Sequence, residues 1–194
     1  MMGRLAILLA PLVVAACAQP GGAPGFSGAA SRVAGQRVGF VAEAVCLNNR
    51  SRAAQTRAAV ALDFPVRQSD GGADIFINPG TLTVLRLGPV PSQGITVDGA
   101  RTAIPGGQGC SVGSPAVSTR EANAIAGTIL APRLVDGSDT LTAPIGAGLN
   151  ESGGAGFFFR NLAVTTPGAR TTFTNDDTGE AIAFDHPVIL IVHY

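Results

Sequence analysis

Val188-Ile189-Leu190-Ile191-Val192 is an unbroken apolar run near the end of the chain. A strand points successive side chains to opposite faces, so such a run must be covered on both. It predicts a central strand inside a longer extended segment, Ala181–Val192. Phe157–Val164 and Arg170–Thr174 read as its antiparallel companions. Asn175-Asp176-Asp177-Thr178-Gly179 supplies the residues that a tight turn requires and joins the last two strands.

Further upstream, Ala73–Ile77 and Leu82–Leu87 flank Asn78-Pro79-Gly80, a turn signal, and predict a hairpin. Ser118–Leu130 predicts a helix. Ser118 and Glu121 form a capping box, Val117 is placed to staple onto Ala122, and Ala122, Ile125, Ala126 and Ile129 recur at helical spacing. Pro132 is expected to stop it. Ser51 caps a second predicted helix, Arg52–Leu62, with Ala54, Ala58 and Ala61 or Leu62 on its packing face and Phe64-Pro65 ending it. Val38–Leu47 favours a helix and leaves a strand open. Gly88–Gly109 and Leu134–Gly156 read as long Gly- and Pro-rich connections, with a short strand at Ile95-Thr96-Val97. The expected class is α+β, an antiparallel sheet of about five strands with two or three helices packed on it.

The 194 residues carry 13 basic and 13 acidic groups, so the formal net charge is zero. Every basic residue is Arg, scattered along the chain, with Arg50, Arg52 and Arg57 as the densest group. Nucleic-acid binding needs basic residues gathered on one face, so that partner class is not expected.

Met1-Met2-Gly3-Arg4 is a short positive start, Leu5–Val14 is apolar, and Ala15-Ala16-Cys17-Ala18 follows. These are the parts of an export signal, and the apolar run is too short to span a bilayer. Val14-Ala15-Ala16-Cys17 resembles the lipobox of bacterial lipoproteins. The resemblance covers only the first twenty or so residues. It implies cleavage before Cys17 and fatty acylation there, of the palmitate type. With Ala18 rather than Asp in the second mature position, it also implies the periplasmic side of the outer membrane. An ordinary signal cut after Ala18 is the alternative. Residues 17–35 are expected to be the lipidated Cys and a Gly/Pro/Ala-rich tether, and residues 36–194 a single periplasmic domain.

With Cys17 lipidated, Cys46 and Cys110 remain, an even count in an oxidising compartment. A disulfide is expected in preference to two separate thiols. Other constellations are read blandly. Asp176, Asp177 and Glu180 lack calcium-loop spacing. His186 and His193 should face opposite sides of one strand, about 23 Å apart. Gly106–Gly109 and Gly153–Gly156 lack the strand, helix and Lys of a phosphate loop and read as flexible connections. Ser111 and Ser114 lie outside any nucleophile elbow. Asn49 and Asn150 match a glycosylation pattern that a bacterial lipoprotein would not use. Phe157-Phe158-Phe159 presents aromatics on both faces, either buried on both sides or partly exposed as a partner surface.

No catalytic set, metal site or cofactor motif is expected. The expected function is a lipid-anchored binding or assembly module contacting an envelope protein or the cell wall, its working surface on the two long connections and away from the last strand. An anchored inhibitor or chaperone, or a small hydrolase, is the alternative.

Overall fold

The computed structural model describes residues 23, 25–97, 100–137, 140–142, 146–149, 154–169 and 171–194. The signal segment, Cys17 and Asn150 lie outside the described residues. No described helix is long and apolar enough to cross a membrane.

The class is α+β. Helix α1 (Gly28–Val41) runs into a π-helical segment (Ala42–Leu47) and is followed by α2 (Arg52–Ala61). Then come strands β1 (Val66–Asp70), β2 (Ala73–Asn78), β3 (Thr83–Val90), β4 (Gln93–Val97), β5 (Ala100–Ile104) and β6 (Gly107–Gly113). Helix α3 (Thr119–Val135) precedes β7 (Gly146–Leu149), β8 (Gly154–Phe159), β9 (Leu162–Thr165), β10 (Thr172–Asn175), β11 (Ala181–Ala183) and β12 (Val188–His193). Twelve strands form one antiparallel network, in the order β1-β2-β3-β6-β12-β9-β8-β7-β4-β10-β11, with β5 on β4. The sheet is thus larger than the five strands expected.

The apolar run works as its alternation dictates. β12 lies between β6 and β9. Ile189 and Ile191 enter the main core with Leu85, Leu87, Val112, Phe157 and Phe159, under Val38, Val45, Ala126 and Leu130 of the helical layer. Val188, Leu190 and Val192 enter a second core with Ile95, Ile104, Phe158 and Phe173. That core is closed by β4, β5, β10 and β11, which fold back over β8, β9 and β12. All three of Phe157, Phe158 and Phe159 are buried, so none is a partner surface. The second layer stops short of β2 and β3, where Ile75, Ile77 and Val84 stay half-exposed and Arg86 is exposed.

The helical layer is bolted to the middle of the sheet. Cys46 and Cys110 form the expected disulfide. His193 Nε2 lies 2.8 Å from the carbonyl of Cys46, which can only accept, so the imidazole donates. Gln108 donates to Gln55 Oε1 at 2.8 Å, and Gln55 to the carbonyl of Asn49 at 2.9 Å. Asn49 in turn caps the π-helical segment through the carbonyls of Ala44 and Val45. Arg52 pairs with Asp74 at 3.0 Å, fixing the start of α2 to β2.

Several expectations need correction. α1 begins at Gly28, capped by Ser27, and buries Ser31 and Ala34. Residues 28–35 therefore belong to the folded domain and not to the tether. Ten residues, 18–27, separate Cys17 from the helix, a reach of at most about 35 Å. On α2 the buried residues are Gln55 and Ala59, flanked by half-buried Ala58 and Leu62, while Ala61 is exposed. The packing face is rotated towards Gln55 because Gln108 awaits it there. Pro132 does not stop α3, which continues to Val135. A proline disfavours helix in the residue before it more than after it, and Leu134 packs on the core beyond it.

Gly88–Gly109 is not a connection but the end of β3, all of β4 and β5, and the start of β6. Leu134–Gly156 likewise contains β7 and the start of β8. Phe157–Val164 is a hairpin turning at Arg160-Asn161, and Ala181–Val192 is two strands separated by Phe184–Pro187. β1 was not expected. It joins β2 through Gly71 and Gly72, both at positive φ (53° and 78°), as a tight hairpin turn requires.

Candidate functional site

The break between β11 and β12 opens a cleft of about 540 Å³ on the uncovered side of the sheet. Its floor is set by the register. Arg86, Ser111 and Leu190 form one lateral row across β3, β6 and β12, and Val84, Gly113 and Val188 form the next. The wall is β11 with Phe184, Asp185 and His186 after it, and the far end is closed by Pro89, Val90 and Gln93.

The floor exists because β6 presents almost no side chains to it. Gly109, Ser111 and Gly113 alternate on that face, opposite Cys110 and Val112 in the core. A Cβ on Gly109 would collide with Val90. One on Gly113 would lie 2.5 Å from the Pro187 carbonyl oxygen, 2.7 Å from Val188 Cγ1 and 2.9 Å from His186 Cδ2. Gly107 similarly admits the backbone of His193. These glycines are close-approach positions inside a strand. The reading of Gly106–Gly109 as a flexible connection is corrected on that ground for its last three residues. Gly154–Gly156 is also strand, while Gly153 lies outside the described residues.

Polar and apolar groups share the cleft lining. Arg86 is exposed at the floor and makes no ion pair with any described residue. Glu180 and Asp185 stand at the two ends of β11. His186 is half-buried, and burial pulls its pKa below the ordinary value against the opposing charge of Asp185. No hydrogen bond joins it to Ser111. Gln93 is 2% exposed, and its Oε1 is enclosed with no hydrogen-bond partner among the described residues.

The remaining singled-out residues lie elsewhere. His193 faces the helical layer, on the opposite side of β12 from His186; burial lowers its pKa, the Cys46 carbonyl opposes this, and Arg50 and Arg133 reinforce it. Asp176 and Asp177 sit in the turn after β10, where Asn175 Oδ1 accepts from the backbone of Asp177 and Thr178. Asp176 pairs with Arg101 at 2.7 Å. No cluster of three potential metal ligands occurs among the described residues. Glu121 caps α3 with Ser118, as its spacing predicted. Val188 and Leu190 of the last strand line the cleft, and both are buried.

Sequence reasoning missed Gln93, Arg86 and Gly113. Gln93 is one polar residue among many until β4 is seen to fold over the second core. The alternation Gly107-Gln108-Gly109-Cys110-Ser111-Val112-Gly113 did carry the signal: small residues on one face and buried ones on the other. Comparison of the chain with protein-family models, curated proteins and solved structures finds no match.

Proposed function

We propose that the chain is a lipid-anchored cell-envelope protein that works as a binding or assembly module through this cleft. The anchor is assigned to Cys17 and the location to the periplasmic side of the outer membrane. The lipobox resemblance at Val14–Cys17 supports the anchor, and the Cys46–Cys110 disulfide fits an oxidising compartment. The partner is an envelope protein or the cell wall, held close because the tether is short and the local concentration therefore high.

One observation carries the binding role: a cleft of about 540 Å³ in which apolar side chains and the polar groups of Arg86, Ser111, Asp185 and His186 face one space. Such sites are built to hold something. To test it, a photo-crosslinking residue is placed at Ala181, beside the cleft, or at Val135, exposed at the end of α3, in cells. Adducts from position 181 alone support the reading. Equal adducts from both, or turnover by the purified protein that depends on His186, would overturn it.

A further inference from the structure

We infer that the occupant of the cleft is an extended polypeptide segment of a partner protein, added as a further strand on the free edge of β11. The inference rests on the reading of the cleft as the working site.

Among the described residues, β11 ends the strand order and pairs only with β10. Its hydrogen-bond phase can be read from its flanks. Asn175 donates to the Glu180 carbonyl at 2.8 Å and Phe184 to the Thr171 carbonyl at 3.3 Å. Antiparallel partners alternate between bonded and non-bonded pairs, so Ile182 is the residue that exchanges bonds with Phe173. Ala181 and Ala183 therefore turn their N–H and C=O groups away from β10. Both residues line the cleft. The wall of the cleft is thus a row of unpaired backbone donors and acceptors, which is the template for strand addition.

The floor states what the added strand would carry. Its inward side chains recur about 7 Å apart, two residues along the strand. The two floor rows, one holding Arg86 and Ser111 and the other Val84 and Val188, are likewise two residues apart on β3, β6 and β12. One inward position then meets an unpaired guanidinium and a hydroxyl, and the next meets valines. This selects a segment with an acidic side chain and an apolar one alternating on one face. Glu180 and Asp185 at the ends of β11 disfavour more than one acid. An added strand would also extend the second layer over the half-exposed part of β3.

The test uses the full chain, solubilised in detergent, against a phage-displayed library of random heptapeptides, with the enriched peptide then synthesised. Enrichment of sequences with apolar residues at alternate positions and one acid on the same face is expected. Ala183→Pro deletes one outward N–H while leaving the Ile182–Phe173 pairing intact, and should weaken binding tenfold or more. Arg86→Gln should weaken acid-bearing peptides by ten- to a hundredfold and leave their amide versions unchanged. Ser111→Phe, which plugs the floor from a half-exposed position, should abolish binding. Circular dichroism of each variant checks folding, and N-methylation of the peptide backbone reports the same edge contacts without touching the protein. No enrichment, or binding indifferent to both Ala183→Pro and N-methylation, would overturn strand addition. If Ser111→Phe alone abolished binding, the cleft would stand as the site and the added strand would fall.

Discussion

Replacing Cys46 and Cys110 together by Ala removes the disulfide cross-link between the helical layer and the sheet. The bridge joins residues 64 apart, and a closed loop of that length restricts the unfolded chain by about 4 kcal/mol on the loop-entropy model. Both residues are fully buried, so the alanines also lose packing around the missing sulfurs, although relaxation of the unbridged native state offsets part of the loss. A net destabilisation of about 3 kcal/mol is expected, against a total of about 5–15 kcal/mol for a domain of this kind. With a urea dependence of about 2 kcal/mol per molar, the unfolding midpoint should fall by about 1.5 M. Equilibrium urea unfolding followed by far-ultraviolet circular dichroism measures it. The same segment is held by the hydrogen bond from His193 to the Cys46 carbonyl, so the two fastenings should be coupled. His193→Gln should have a different effect with and without the bridge, by at least about 0.5 kcal/mol in a double-mutant cycle. A midpoint shift below about 0.5 M would refute the reasoning. So would two alkylatable thiols in unreduced native protein.

Gly113→Ala should cost about 1–3 kcal/mol, because its Cβ must displace the backbone at Pro187, whereas Gly127→Ala, with nothing within 4 Å on α3, should stabilise by about 0.5–1 kcal/mol; thermal unfolding of the two variants checks the contrast. Both imidazoles titrate below their ordinary value in the folded protein, so the unfolded chain takes up protons first. Stability should be flat above about pH 7 and decline as pH falls below about 6.5, and His193→Gln should flatten the upper part of that decline in denaturation curves taken at pH 5–7.5. Ser118→Ala removes half of the capping box and should cost about 1 kcal/mol by urea unfolding. Cys17→Ser should abolish incorporation of a fatty-acid analogue in cells; equal labelling of both forms would contradict the anchor.

What could be read from the sequence was what is local. Ser118 and Glu121 satisfy each other's backbone within one turn, so their spacing alone identifies the start of α3. Asn78-Pro79-Gly80 turns a hairpin because two strands lie directly either side of it. Val188–Val192 is central because five apolar side chains on two faces have no other refuge. The failures share a different cause. Gly107, Gly109 and Gly113 argue for a loop when each is weighed by its own preference. They are strand residues because Val90, His186 and the end of β12 cross over them, and those lie up to some eighty residues away in sequence. The face of α2 was misplaced by the wish to bury alanines, where the deciding group was the amide of Gln108 across the layer.

The candidate site belongs wholly to this second kind. Its floor needs β3, β6 and β12 in register, its wall needs the chain to break at Phe184–Pro187, and its far end needs β4 to fold over a second core. Of its lining, His186, Glu180 and Ser111 stand out in the sequence; the rest is an Arg, a Gln and two alanines valued for their backbone. A catalytic site concentrates unusual side chains, and sequence patterns find it for that reason. A strand-addition site works with main-chain groups that every residue possesses, and it is specified by which edge the fold leaves unpaired. An unpaired edge such as that of β11 is written in topology and not in residue type, which is why sequence patterns do not point to it.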